Sequence, residues 1–328
     1  MKHSVRRVKT TQELITKKHN HDAPLIKEYQ DLMALAFRNR ENNVLDESAF
    51  KVTTDLLDRN PENYTVWNMR REILTNLFKE KSPEEQKKLI LGDLYFVQSK
   101  FKSFPKVYWL WNHRRWCLEL DPTADWKQEL ELVNYLLEKD SRNFHGWHYR
   151  RFVIQKLEQA TSTSLTTEEF KYTTKKINEN FSNYSAWHNR TKLLPAYLET
   201  AEASDRRTTI YSELEYAIQA IYTDPDDQSA WLYHQWLLIE TKELVPDMTT
   251  EEFFDLVSKQ IDSIGELYEV EPDSSNCMFF LVKYLIHCKK ITGKSPKTSF
   301  SAEDLLNKLQ QTDAMRKNMY KYYESFIL

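Results

Sequence analysis

Two segments of the sequence place cations beside hydrogen-bonding side chains in a pattern typical of anion sites. FPKVYWLWNHRR, from residue 104, contains Lys106 and Tyr108, and DSRNFHGWHYRR, from residue 140, contains Arg142, Asn143 and His145. In both segments the cation precedes a tryptophan by five residues, which the pattern predicts to be the first turn of a helix. A helix N-terminus carries free amides and partial positive charge, so a cation there is unfavourable until an anion binds. These residues are therefore candidates for a phosphate site, and the alternative is an ordinary solvated rim.

The two segments are copies of one repeat. The others are NPENYTVWNMRR at 60, NFSNYSAWHNRT at 180, DPDDQSAWLYHQ at 224 and a divergent EPDSSNCMFFLV at 271, where Met278 takes the place of the tryptophan. The aligned tryptophans recur at intervals of 44, 36, 40 and 44 residues, and they are Trp67, Trp111, Trp147, Trp187 and Trp231. Periods near 40 residues indicate stacked supersecondary units instead of independent domains.

Each unit is predicted to be a helical hairpin. Apolar residues three and four apart mark a helix before each copy, as in DESAFKVTTDLLDR and DWKQELELVNYLLEK. The repeat helices themselves are predicted to start near 61, 105, 141, 181, 225 and 272, because an Asn, Asp or Glu before proline suits a helix N-terminus. The predicted fold is all-α, a right-handed α-α superhelix (solenoid) of stacked helical hairpins. We expect a basic arm at 1–21 and a single repeat domain at 22–328.

Residues that return in every hairpin are predicted to serve packing between hairpins. The tryptophans are predicted to be structural, and so are the arginines three residues after them, which can stack on aromatic rings or pair with carboxylates of the next unit. Those arginines are Arg70, Arg114, Arg150 and Arg190. The histidines that follow the tryptophans are predicted to lie on the surface of the repeats, and they are His113, His148, His188 and His234.

Composition excludes several classes of function. The chain has 328 residues with a formal net charge of −3 and four glycines, which argues against a nucleic-acid partner and against a phosphate-cradling glycine loop. No run of eighteen apolar residues suggests a transmembrane helix. Three cysteines, with no CxxC pair and no such pairing with closely spaced histidines, indicate neither a zinc site nor a disulfide framework, so a reducing, cytosolic compartment is expected. No known catalytic motif is present, which favours a scaffold that contributes residues to another protein's chemistry.

The repeat pattern PxNYxxWxxRR closely resembles that of protein prenyltransferase α subunits, over about residues 22 to 290. Within this family the chain resembles most the Rab (type II) geranylgeranyltransferase branch in its compact fungal form. The segments that carry this resemblance are RRVKT at 6–10, RNFHGWHYRRF at 142–152, NFSNYSAWH at 180–188 and TDPDDQSAW at 223–231. Two alternatives stay open, the α subunit shared by farnesyltransferase and the type I enzyme, and a non-catalytic TPR-like scaffold, whose units are shorter, near 34 residues.

The resemblance implies an enzyme that works as an obligate heterodimer in the cytoplasm. The β subunit would hold the catalytic zinc and most of the lipid pocket, so no metal or other cofactor is expected in this chain. Geranylgeranyl diphosphate would be the lipid substrate, and the acceptors would be C-terminal cysteines of Rab GTPases presented by an escort protein.

The resemblance also implies roles for the candidate residues. Lys106 would lie near the diphosphate and Tyr108 beside it, and His145 would supply a donor or orientation, which makes these three the predicted catalytic residues. Asn143 and His145 would line the same mouth of the cleft, and Lys106 and Arg142 complete the predicted substrate-binding set. Valine at 107 and phenylalanine at 144 depart from the asparagine and tyrosine of other members, which removes a hydroxyl role at 144.

Overall fold

A computed structural model describes residues 11–199 and 202–327, and these residues form α-helices joined by short turns. The segment RRVKT at 6–10 lies outside the described residues. Residues 12–21, predicted to belong to a basic arm, form the start of the first helix. None of the helices in the described ranges has the length and the apolar character needed to cross a membrane.

The chain divides into two compact units, one ending at Trp126 and the other beginning at Lys127. The helices of the first unit are α1 (Gln12–Glu41), α2 (Glu47–Arg59), α3 (Tyr64–Phe78), α4 (Pro83–Phe101) and α5 (Tyr108–Leu120). Those that follow are α6 (Trp126–Lys139), α7 (Phe144–Thr161), α8 (Thr166–Glu179), α9 (Tyr184–Glu199), α10 (Ala203–Thr223), α11 (Gln228–Leu244), α12 (Thr250–Val270), α13 (Ser275–Thr292), α14 (Ala302–Thr312) and α15 (Lys317–Glu324). A single 3-10 turn, Ala314–Arg316, separates the last two helices.

Consecutive helices pack in pairs, as the hairpin prediction requires. In the first unit α2 packs on α3 and α4 on α5, and in the second α8 packs on α9, α10 on α11 and α12 on α13. The patterns DESAFKVTTDLLDR and DWKQELELVNYLLEK correspond to α2 and α6. The all-α fold of helical hairpins is therefore confirmed.

The repeat helices begin three residues later than the sequence predicts, at 64, 108, 144, 184, 228 and 275. The residue before proline does not cap the repeat helix. Asn60 instead ends α2, its side chain accepts a hydrogen bond from the amide of Glu62, and its carbonyl accepts one from the amide of Asn63. The helix cap is the second polar residue of the pattern, Asn63, whose side chain accepts from the amide of Val66. An intervening four-residue turn thus accounts for the shift.

The repeated tryptophan closes this turn. In all five copies the ring is at most 4% exposed, and its Nε1 donates a hydrogen bond of 2.7 to 3.0 Å to the carbonyl six residues earlier. The acceptors are the carbonyls of Pro61, Pro105, Ser141, Phe181 and Pro225. The ring fills the hairpin core while its Nε1 bonds a carbonyl of the turn. Both contacts agree with a structural role for the repeated tryptophans.

The repeated arginines are buried and join neighbouring hairpins. Arg70 binds Asp93 of the next hairpin at 2.5 Å, and its guanidinium lies 3.8 Å from the ring centroid of Phe50 in its own hairpin. Arg190 makes the same combination, with Glu213 of the next hairpin and Phe170 of its own. Arg150 also contacts a carboxylate and a ring, but both, Glu169 and Tyr172, lie on α8 of the next hairpin. Arg114 is buried as well and donates to the carbonyl of Leu94 at 3.0 Å. The acidic partners follow their arginines by 19 to 23 residues, a spacing that sequence analysis did not use.

The prediction that four histidines lie on the surface is wrong for two of them, because His113 and His234 are fully buried. Each is held by side chains of other helices, His113 by Asp93 and His234 by Gln260 and Tyr284. His148 and His188 are exposed, as predicted.

Candidate functional site

The first group of candidate residues lies at the start of α5. Lys106 is exposed and immediately precedes the N-cap residue Val107, so it lies two residues before the first helical residue. The sequence had predicted it in the first turn of the helix. Tyr108 is the first helical residue and is 57% exposed. The cation and the phenol therefore flank the N-terminus of one helix on the solvent side of the first unit.

The N-terminus of α5 differs from those of the other repeat helices in its cap. In five repeats the residue at the equivalent position has a side-chain oxygen that accepts a hydrogen bond from a first-turn amide. These capping residues are Asn63, Asn143, Asn183, Asp227 and Ser274. Val107 has no such oxygen and makes no side-chain cap. The amides of this first turn, with Lys106 beside them, form the arrangement by which helices bind phosphate groups.

The second group lies at the start of α7 in the second unit. Arg142 is exposed and precedes the N-cap, and like Lys106 it lies outside the first turn. Asn143 is the N-cap, and its side-chain oxygen accepts from the amides of His145 and Gly146 at 3.0 and 3.3 Å. His145 is only 6% exposed, and its ring centroid lies 3.9 Å from that of Phe144, which is 56% exposed. Asn143 therefore fixes the backbone that carries His145.

The positive charge of Arg142 interacts with the carboxylate of Asp227 in the same unit. Burial would raise the pKa of Asp227, but hydrogen bonds from Ser182 and Ser229, with the charge of Arg142, hold that pKa below its usual value. Part of the charge of Arg142 is thus offset before any ligand arrives. Lys106 and Tyr108 belong to one unit, and Arg142, Asn143 and His145 to the other, so their action as a single anion site stays a prediction.

An exposed aromatic at the first position of the repeat helices was not recognised in the sequence. In the first unit Tyr64 is 55% exposed and Tyr108 57%, and in the second Phe144 is 56% and Tyr184 48% exposed. The sequence placed Tyr64 on one helical face with Trp67 and Arg70, yet those two side chains are buried. A recurring aromatic that does not enter the core is typical of a surface that another protein covers.

A buried cluster of possible metal ligands, also overlooked, lies in the first unit. Ligand atoms of Asp93, His113 and Cys117 lie within 4.8 Å of one another, and the last two are four residues apart on α5. His113 donates from Nε2 to Asp93 at 2.7 Å, and burial raises the pKa of the Cys117 thiol, which keeps it protonated. Three guanidinium groups act on this thiol, those of Arg70, Arg114 and Arg71. So much positive charge opposes a divalent cation, and the cluster is better explained as a hydrogen-bonded network around Arg70.

Comparison with known proteins agrees with the repeat geometry. The model of the protein prenyltransferase alpha subunit repeat matches residues 46–77, 90–121, 126–157, 166–197 and 210–240. Among the most similar relatives are two proteins named geranylgeranyl transferase type-2 subunit alpha. The one from Saccharomyces cerevisiae is 36% identical over 97% of this chain and 97% of its own length, and the one from Schizosaccharomyces pombe is 40% identical over 97% and 96%. The chain belongs to the protein prenyltransferase α-subunit family.

Membership of this family implies a β-subunit partner. A rat relative of the same name is 41% identical but aligns with only 72% of this chain and 41% of its own length. A solved structure, Candida albicans protein geranylgeranyltransferase-I complexed with GGPP, shares the fold with a TM-score of 0.67, over 91% of this chain and 90% of that chain, at 22% identity. Each family repeat contains one hairpin with its tryptophan and, where present, its paired arginine.

Proposed function

We propose that this chain is the α subunit of a type II protein geranylgeranyltransferase, which transfers geranylgeranyl from geranylgeranyl diphosphate to C-terminal cysteines of Rab GTPases. The observation that carries the proposal is the identity of 36 and 40% over 97% of the chain to proteins of that name. The Candida albicans structure, with its bound GGPP, supports a prenyl diphosphate as substrate for this fold.

The proposed division of labour places zinc and most of the lipid pocket on the β subunit, where the metal would hold the acceptor cysteine as a thiolate. This chain would then act on the leaving diphosphate. Lys106, beside the start of α5, would stabilise the negative charge that grows as the bond to carbon 1 of the lipid breaks. The helix start suits this role because Val107 does not cap it, so the diphosphate itself would supply the missing acceptor.

The remaining candidate residues are proposed to position the substrate. Tyr108, exposed at the first position of α5, would donate a hydrogen bond to a diphosphate oxygen. His145 is buried, which favours orientation over direct proton transfer, and Asn143 would hold its backbone in place. Arg142 would contribute a weaker attraction because Asp227 already offsets its charge.

The proposed partners follow the same assignment. The exposed aromatics that begin the repeat helices are proposed to meet the β subunit, since aromatic side chains are enriched in the buried centres of protein interfaces. They are Tyr64 and Tyr108 in one unit and Phe144 and Tyr184 in the other. An escort protein would present the Rab substrate, and the complex would work in the cytoplasm.

The test is co-expression with candidate prenyltransferase β subunits, followed by transfer of radiolabelled geranylgeranyl to a Rab GTPase with and without its escort protein. Transfer that depends on the escort protein is the expected result. Transfer to a short C-terminal CaaX peptide would instead assign the chain to the subunit shared by the farnesyl and type I enzymes. A chain that stays monomeric and captures no β subunit would contradict both assignments and would favour the non-catalytic scaffold instead.

A further inference from the structure

A cavity of about 270 Å³ lies in the second unit, and none of the candidate site residues lines it. Its walls come from α11, from α13 and from the segment that contains α15. Its volume is close to the lower end of small-molecule pockets, roughly 300 Å³. It is lined by Gln235, Leu238, Ile239, Lys283, Tyr284, Ile286, His287, Lys290, Tyr322, Tyr323 and Phe326.

The polar lining of the cavity is basic. Lys283, His287 and Lys290 occupy positions on α13 that are four and then three residues apart, so they share one helical face. No carboxylate is among the lining residues, and Glu324 of α15 binds Gln310 instead. A cavity with two lysines and no lining acid is complementary to a negatively charged ligand.

Lys283 is held in place without an ion pair. Its Nζ donates to Oε1 of Gln235 at 2.9 Å and lies 4.3 and 4.6 Å from the ring centroids of Phe279 and Phe280. Within the described ranges it forms no salt bridge. Burial lowers its pKa to about 8, so most molecules still carry the charge at neutral pH in an environment that solvates it poorly.

His287 lies between the two lysines on this face of α13. Its Nε2 is inaccessible to solvent and has no hydrogen-bond partner in the described part of the chain. Burial and the nearby charge of Lys290 lower its pKa. Because this nitrogen is closed to solvent, it does not open into the cavity, and the charge that would attract an anion comes from Lys283 and Lys290.

The opposite wall of the cavity is aromatic and partly open. Tyr322 is 63% exposed and Phe326 48%, while the ring of Tyr323 contacts that of Phe279 with centroids 5.0 Å apart. From the basic face of α13 and this aromatic wall, we infer that the cavity binds a small organic anion with an aromatic or aliphatic body. The anionic group lies at Lys283 and Lys290, and the body packs against Tyr322 and Phe326. This inference rests on the second unit alone and does not depend on the proposed lipid transfer.

The experiment measures binding of naphthalene-1-sulfonate to the full chain, purified with its β subunit, by isothermal titration calorimetry. Naphthalene-1-sulfonamide, which has the same ring without the charge, serves as the matched ligand. In Lys283→Met the unbranched stem stays against the phenylalanines, and the sulfonate is expected to bind at least tenfold more weakly. Lys259→Met, which removes an exposed lysine of α12 from the same unit, should leave binding unchanged.

A second variant and a crystal structure test the inference even if Lys283→Met does not fold. Tyr322→Ala alters an exposed side chain and should weaken both ligands, and a crystal of the complex soaked with the sulfonate should place its oxygens within about 4 Å of Lys283 Nζ. Thermal melts establish that each variant is folded. Equal affinity of the sulfonate for the wild-type and Lys283→Met proteins, binding of sulfonate and sulfonamide with the same affinity, or density for the sulfonate only elsewhere would overturn the inference.

Discussion

At the scale of single residues, buried charge holds neighbouring hairpins in register. Each of Arg70, Arg150 and Arg190 places its guanidinium against an aromatic ring and a carboxylate, and in all three the carboxylate belongs to the next hairpin. Removing one member of such a pair costs about 3 to 5 kcal/mol because the other is left buried and uncompensated. Geometry of this kind specifies which helices meet, so these arginines belong to the architecture and not to the chemistry.

Lys106 is the residue on which the proposed chemistry depends most. Lys106→Ala should slow geranylgeranyl transfer at least about tenfold, because the cation that stabilises the leaving diphosphate is removed. The side chain is exposed, so the free energy of unfolding should change by less than about 0.5 kcal/mol and the heterodimer should persist. The readouts are single-turnover transfer and size-exclusion chromatography, with Lys102→Ala as the matched control for an exposed lysine of the same unit. Wild-type transfer by Lys106→Ala, or loss of the heterodimer, would refute the assignment.

His234 makes the stability of the second unit depend on pH. Burial lowers its pKa to about 4 while Gln260 and Tyr284 hold the neutral ring. The unfolded chain binds a proton near pH 6.5, so the stability from the neutral ring is complete above that pH and is lost as pH falls towards 4. Between pH 7 and 5 this residue alone should reduce the free energy of unfolding by about 2 kcal/mol.

Urea unfolding at both pH values tests this expectation. His234→Gln should be less stable at pH 7 but should lose less stability at pH 5 than the wild type does. His19→Gln, an exposed histidine of α1, should leave the pH dependence as it is in the wild type. Identical pH dependence in the wild type and His234→Gln would show that the ring titrates normally in the folded chain.

At the scale of helices, the turn between paired helices decides where the candidate residues lie. A four-residue turn separates the helices of five hairpins, and in the hairpin of α4 and α5 it forms the end of a six-residue connection. The first and last residues of the turn are linked by a backbone hydrogen bond in all six copies. The first polar residue serves the turn and the second serves the helix, as Asn60 and Asn63 show. Lys106 and Arg142 therefore lie in the turn, where they can point along the helix axis without entering the first turn of the helix.

Periodicity predicted the hairpins because burial of one helical face imposes the spacing of three and four. The helix starts were misplaced because two polar residues compete for the cap, and the sequence does not show which carbonyl the tryptophan Nε1 bonds. The burial of His113 was missed because its partner, Asp93, is 20 residues away on another helix. In the candidate site, Lys106, Arg142 and His145 were recognised as departures from the repeat, but the missing cap at Val107 had no meaning until the true helix start was known.

The uncapped start of α5 yields a prediction at this scale. Val107→Asn restores the cap found in the other repeats and should stabilise the chain by about 1 kcal/mol. The new side chain would then occupy the amides that the diphosphate is proposed to use, so transfer should become slower and the Michaelis constant for the lipid diphosphate should rise. The measurements are thermal melts and initial rates across lipid concentrations.

The reverse change provides the control. Asn183→Val removes the cap of α9 and its bond to the carbonyl of Ser141, so it should destabilise the chain without a specific effect on the lipid. If Val107→Asn gains stability yet transfers lipid with unchanged kinetics, the helix start does not bind the diphosphate.

At the scale of the whole molecule, one structural unit is used repeatedly, and a few copies depart from it at the candidate residues. The tryptophan, its bond to the turn and its burial are common to five copies across both units. The modifications, a missing cap at Val107 and a buried histidine at 145, occur in consecutive copies. Repeat proteins gain stability from many similar interfaces, so a few positions can change without unfolding the rest.

This organisation predicts that the five tryptophans are energetically equivalent. Replacing each in turn by phenylalanine removes the Nε1 donor, leaves the turn carbonyl without that bond and shrinks the buried ring, which should cost roughly 2 to 4 kcal/mol at every copy. Trp236→Phe, a half-buried tryptophan of α11 outside the column, should cost less. Urea unfolding of the six variants gives the comparison, and transfer assays at a temperature where all are folded should show wild-type rates. A loss of transfer in Trp111→Phe alone would instead give that ring a part in the chemistry. The other four variants lose the same hydrogen bond, so the bond itself could not explain a loss confined to one of them.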